Sequence, residues 1–165
     1  MRASDAANLG MADAFTSPSS LAGLSTLAAG AGLSVADAMD GRLQCGVDLI
    51  EISRIEDALQ RWGQRFLHRV WTEREIAACR GRHRELAARF AAKEAASKAL
   101  GTGIVGVVWR ELEVLSDGRG KPLLFLHGRA RARAEELGLN TWAVSLTHSR
   151  DMACAFVVAY AQPAT

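Results

Sequence analysis

The sequence predicts an α+β domain, and three observations carry that prediction. Helix signals, with capping patterns at their starts and glycines at their ends, dominate residues 53–101. Strand signals dominate residues 111–160, interrupted by one short amphipathic stretch. Strands and helices do not alternate as a parallel βαβ sheet requires, and the later strands are joined by turns, so an antiparallel sheet packed with helices is expected.

The first strand begins at Leu43, where Cys45, Val47 and Leu49 alternate with Gly46, Asp48 and Ile50. Ser53-Arg54-Ile55-Glu56 reads as a capping box, with a helix from there to about Trp62 that Gly63 ends. Thr72-Glu73-Arg74-Glu75 repeats the pattern and opens a short helix. A third helix is expected from about His83 to Leu100, stopped by Gly101. Glu111–Leu115 and Leu123–Leu126 flank the turn-rich stretch Ser116–Pro122 and form a hairpin. Residues 129–137 suit a helix ending at Gly138, and Trp142–Leu146 and Ala153–Tyr160 suit two further strands.

At 165 residues the chain has the size of one domain with a short extension. The break falls near residue 42. Residues 1–42 are rich in Ala, Gly and Ser, lack sustained periodicity and carry four aspartates against two arginines. They match neither a secretory signal nor an Arg-rich transit peptide, and they read as a flexible or weakly structured leader to a domain spanning residues 43–165. That domain holds 18 bases and 14 acids, with the excess greatest between Arg54 and Arg89. No apolar run is long enough to span a membrane. Three dispersed cysteines suggest neither disulfides nor zinc, which suits a reducing, cytoplasmic setting.

Gly101-Thr102-Gly103-Ile104-Val105-Gly106 matches a dinucleotide fingerprint, but a helix precedes it and a strand follows, the reverse of what phosphate binding needs. Other residues are more informative. Asp48 sits within an apolar strand, where a carboxylate either caps a turn or meets donors or a cation. At about 100° per residue, Leu86, Phe90, Glu94 and Ser97 fall within about 80° of one another, placing Glu94 on an apolar stripe. Ala88, Ala91, Ala92, Ala95 and Ala99 form the opposite face and invite close backbone approach. Lys98 follows Glu94 by one turn, and the two also read as a plain surface ion pair. His148 closes a strand among hydroxyls, where a turn histidine is the ordinary reading.

Taken together, Cys45–Ile52, Arg89–Gly103, Gly120-Lys121-Pro122 and Val144–Ser149 resemble, in collinear order, the bacterial holo-acyl-carrier-protein synthases. These are small phosphopantetheinyl transferases of fatty-acid synthesis. The Glu-Lys helix segment is the most specific match and Gly-Lys-Pro the least, and the leader lies outside the resemblance. The resemblance implies the α+β fold of that superfamily and a homotrimer with sites between subunits. It implies transfer of 4′-phosphopantetheine from coenzyme A to a serine of apo-acyl carrier protein, with adenosine 3′,5′-bisphosphate released. Asp48 and Glu94 match magnesium ligands, and Glu94 and Lys98 match catalytic positions, with either Glu94 or a metal-bound water as base. Arg89, Lys93, Lys121, Pro122 and His148 are candidates for coenzyme A contacts. Arg54, Arg65 and Arg69 match positions that grip the acidic carrier protein. A different class, a basic non-catalytic module binding protein or nucleic acid, is disfavoured because no aromatic-interleaved motif, helix-turn-helix or zinc finger accompanies the arginines. No nucleic-acid or membrane partner is expected.

Overall fold

Two antiparallel sheets flank one long helix in the computed structural model, which describes residues 43–103 and 106–161. The expectations for residues 1–42 and for Ile104 and Val105 lie outside the described residues. Strand β1 (Leu43–Glu51) pairs with β5 (Met152–Tyr160), and β5 pairs in turn with β4 (Thr141–His148), giving the order β1-β5-β4. The register sets Asp48 opposite Ala155 and Ala155 opposite Leu146. Strands β2 (Leu112–Ser116) and β3 (Pro122–Leu126) form the expected hairpin as a separate sheet. In its turn, Asp117 Oδ1 accepts from the Arg119 and Lys121 amides at 2.8 and 2.9 Å.

Helix α3 (His83–Ala99) packs its alanines against the inner face of β1 and β5. Ala88, Ala91, Ala92, Ala95 and Ala99 are all buried, as are Ile50, Ala153, Ala155, Val157 and Ala159 opposite them. The approach is close because small residues meet on both sides: a Cβ built on Gly46 would overlap the Ala95 carbonyl. The outer sheet face is different. Val47, Leu49 and Phe156 stand there at 55%, 61% and 47% exposure, in register with the free thiols of Cys45 and Cys154 on the same face.

Helix α1 (Ile52–Val70) departs from expectation twice. Its cap is Glu51, without a side-chain bond, so Ser53 lies inside the first turn. The strand runs directly into the helix, with the Ile52 amide held by the Asp151 carbonyl at 2.8 Å, and this tether fixes the start two residues early. Gly63 does not end the helix. It kinks it, at φ 52 and ψ −133, and the chain resumes helical geometry to Val70 because Phe66, Leu67 and Val70 have core to cover.

Helix α2 (Glu73–Cys79) has the expected capping box: Thr72 Oγ1 accepts from the Glu75 amide, and the Thr72 amide donates to Glu75 Oε2 at 2.8 Å. Helix α4 (Gly128–Glu136) lies within a residue of its expected span. A 3-10 turn at Trp109–Glu111 leads into β2. Among the described residues no helix is long and apolar enough to cross a membrane.

Candidate active site

Asp48 and Glu94 come from elements 46 positions apart and line one cleft, with Arg54, Phe66, Phe90 and Trp109 among its walls. The strand phase turns Asp48 inward with Gly46 and Ile50, and the helix phase turns Glu94 toward the same space. Glu94 is half-buried, and its carboxyl is held above the usual range by burial first and by the Asp48 charge second, with Lys98 opposing both. Two carboxylates thus share a partly dry cleft, and a positive charge in addition to Lys98 would relieve both.

Lys98 does not close the simple ion pair with the glutamate one turn before it. Its Nζ bonds Asp48 Oδ1 and the Val47 carbonyl, each at 2.8 Å, while the side chain stays 49% exposed. The lysine therefore bridges helix to strand through a carboxylate that lines the cleft.

A second, smaller cavity lies at the opposite edge of the sheet. Arg89, Ser116, Gly120, Pro122, Thr147 and His148 line it, so three segments from distant parts of the sequence converge. Arg89 is buried, with Nε on the Val114 carbonyl at 3.2 Å and Nη1 on Glu85 Oε2 at 3.0 Å. Lys121, next to the lining residue Pro122, is exposed.

Lys93 corrects the expectation set for it. It was a candidate for a coenzyme A phosphate, yet its side chain is wholly buried and its Nζ bonds Glu75 Oε2, the Trp109 carbonyl and the Leu112 carbonyl. An ammonium has three protons to give, and all three are taken. Burial lowers its pKa, with the Glu75 carboxylate pulling the other way.

Arg65 and Arg69 border a third cavity, walled by Trp62, Phe66, Val70 and Trp109. Arg54 borders the carboxylate cleft instead, so the three arginines spread along α1 across two neighbouring hollows. Sequence reasoning missed the aromatic wall that joins them. Trp62, Phe66, Trp71, Phe90 and Trp109 form a chain of ring contacts, with centroids 4.8 to 6.4 Å apart. The spacing of Trp62 and Phe66 along one helix face was a signal for its first link, but Trp109 approaches from a turn that no local pattern marks.

Comparison with known proteins gives one answer. Residues 44–157 match the family described as the 4′-phosphopantetheinyl transferase superfamily. A holo-[acyl-carrier-protein] synthase of Herpetosiphon aurantiacus is 60% identical over 123 residues, covering 70% of this chain and 97% of that protein. The crystal structure of the holo-[acyl-carrier-protein] synthase from Neisseria meningitidis superposes with a TM-score of 0.65 at 37% identity, covering 70% of this chain and 96% of that one. That from Helicobacter pylori, in complex with coenzyme A, gives 0.65 at 29% identity, covering 70% and 98%.

Proposed function

The chain belongs to the 4′-phosphopantetheinyl transferase superfamily, as a holo-[acyl-carrier-protein] synthase, and from this premise we propose its reaction in detail. The hydroxyl oxygen of a carrier-protein serine attacks the coenzyme A phosphorus that bears the pantetheine arm. The bond from that phosphorus to the bridging oxygen breaks, and adenosine 3′,5′-bisphosphate leaves. The observation that carries this reading is the meeting of Asp48 and Glu94 in one cleft with Lys98 bonded to Asp48.

The residues fit a magnesium ion. Asp48 and Glu94 offer hard oxygen donors to one cleft, and among the described residues no group of three or more His, Cys, Asp or Glu converges. Two carboxylates leave the remaining positions to phosphate oxygens and water, which suits magnesium and disfavours zinc. When bound, the ion would supply neutralisation and orientation of the pyrophosphate.

The chain's own residues do the rest. Lys98 turns from Asp48 toward charge developing on the phosphoryl oxygens, where a preplaced cation lowers the barrier. Glu94, whose carboxyl burial and Asp48 push up, is placed to accept the serine proton at its carboxylate oxygens. Arg89 and His148 hold the phosphate end of coenzyme A, with Pro122 under the adenine and Lys121 flanking it. Lys93 has no part in that contact. Arg54, Arg65 and Arg69 receive the acidic carrier, and their arrangement along one helix beside the cleft brings its serine to the reacting phosphorus.

The enzyme works as a homotrimer in the cytoplasm, where coenzyme A and the carrier are found. Two features support the assembly. The outer sheet face exposes Leu43, Val47, Leu49 and Phe156, large apolar side chains of the kind that gather at protein contacts. The carboxylate cleft and the Arg89–His148 cavity lie at opposite edges of the sheet, so a head-to-tail ring would pair one with the other across each boundary.

The decisive experiment incubates the protein with coenzyme A, magnesium and an apo-acyl carrier protein. Mass spectrometry should find the carrier heavier by one phosphopantetheine, and chelation of the metal should stop the gain. A carrier left unmodified, under conditions where a known synthase converts it, would sink the reading.

A further inference from the structure

We propose that Lys93 is a positioning residue that fixes the wall of the transfer cleft through Trp109, an inference that rests on the transferase reading above. Lys93 and Glu94 are consecutive on α3, yet they serve different sides of the helix. Glu94 faces the cleft, while Lys93 turns into the protein and binds the carbonyls of Trp109 and Leu112 at 3.0 and 2.7 Å.

The partner charge, Glu75, extends the clamp. Its Oε2 takes Lys93 and the Thr72 amide, both at 2.8 Å, and its Oε1 takes the Val114 amide at 3.0 Å. One wholly buried ion pair therefore ties α3 to the cap of α2, to the 3-10 turn and to the start of β2.

A leucine at this position would leave the Leu112 carbonyl and Glu75 Oε2 without the lysine donor, and the Trp109 carbonyl with the Leu112 amide alone. The charged pair is costly to bury and earns its place by fixing geometry rather than by adding stability. The geometry fixed is that of Trp109. Its ring packs on Phe90 at 4.8 Å and walls both the Asp48–Glu94 cleft and the Arg65–Arg69 hollow. Neither Lys93 nor Trp109 lines the Arg89–His148 cavity. Lys93 thus acts on the carboxylate cleft and the Arg65–Arg69 hollow and not on the Arg89–His148 cavity.

The neutral pair Lys93→Met/Glu75→Gln tests this, since it removes both charges together. The Michaelis constant for the carrier should rise about tenfold or more, as small displacements of a positioning wall do, with coenzyme A affinity, measured by calorimetry without metal, unchanged. Trp109→Ala in the parent chain should give the same split, and adding it to the double variant should cost little more. A fall in coenzyme A affinity with carrier kinetics intact would restore the phosphate role and overturn the proposal. Unchanged carrier kinetics in either the double variant or Trp109→Ala would do so too.

If the double variant does not fold, Trp109→Ala and the parent enzyme still decide. Reductive methylation of the parent, mapped by mass spectrometry over its three lysines, should label Lys98 and Lys121 and spare Lys93 with or without coenzyme A. Labelling of Lys93 that coenzyme A suppresses would refute the proposal. No transfer by the parent protein would be a separate result, sinking the transferase reading itself.

Discussion

The two edges of the three-stranded sheet carry different chemistry on one scaffold. At the β1 edge, Asp48 and Glu94 gather negative charge in a half-buried cleft, with Lys98 as a partial, exposed counterweight. At the β4 edge, the buried Arg89, already paired with Glu85, shares a smaller cavity with His148. Helix α3 serves both, presenting Arg89 to one and, five residues later, Glu94 to the other. The difference teaches how a small domain separates its charges: one edge gathers carboxylates that a cation would relieve, and the other pairs its arginine from within. Binding and chemistry should therefore separate under mutation.

The largest effect expected is at the β1 edge. Asp48→Ala and Glu94→Gln should each lower transfer roughly a thousandfold, the size lost with a main electrostatic element. The double variant should be little worse than either, because both disable one function. If metal-free coenzyme A binding, read by calorimetry, fell along with turnover, the two edges would not be separable. At the β4 edge, Arg89→Leu should raise the Michaelis constant for coenzyme A about tenfold while leaving that for the carrier alone. It should also cost roughly 1–3 kcal/mol in denaturant unfolding, since the Val114 carbonyl loses its buried donor.

The arginines of α1 sharpen the comparison from a third side. Replacing Arg54, Arg65 and Arg69 by Glu should raise only the carrier's Michaelis constant. Parent docking should weaken with salt, because exposed charges are screened over about 8 Å at physiological ionic strength. Identical shifts for both substrates would mean the carrier side and the coenzyme side are one surface.

Smaller still is a pH effect on stability. Glu94 has its carboxyl raised on folding, so the folded state holds its proton more tightly than the unfolded chain does. Its ionisation accordingly costs stability as pH climbs through the raised value, and nothing is lost below the unfolded one. In chelator, Glu94→Gln should melt higher than the parent at pH 7 and level with it near pH 3.5. A lower melting temperature at pH 7 would make the glutamate structural. The smallest effect should follow from starting the chain at Arg42, which we expect to leave transfer and melting temperature unchanged.

How much of this was written locally differs from residue to residue. The strand alternation that turns Asp48 inward and the helical phase that turns Glu94 to the cleft both come from periods of two and 3.6, which any reader of the sequence can count. Thr72 capped its helix as its spacing with Glu75 required. Ser53 did not, because a tertiary tether from Asp151 to Ile52 outweighed a local capping pattern. Gly63 was a stop signal overridden by core waiting on the far side of the kink. Lys93 was misjudged for a related reason. A lysine in a phosphate-transfer motif looks solvent-facing, and its partners at Glu75, Trp109 and Leu112 lie 16 to 19 positions away, where no periodicity reaches.

Gly46 gives the cleft its working clearance. It sits two residues before Asp48 on the same inward face, pressed against the Ala95 carbonyl one residue beyond Glu94. The contact is backbone on backbone, the least compressible spacer a protein can build, and it rests beside both carboxylates at once. A methyl group inserted there would act as a shim, lifting strand from helix and widening the gap between the two carboxylates. The smallest residue in the chain therefore sets a tolerance for the reaction without ever touching a substrate.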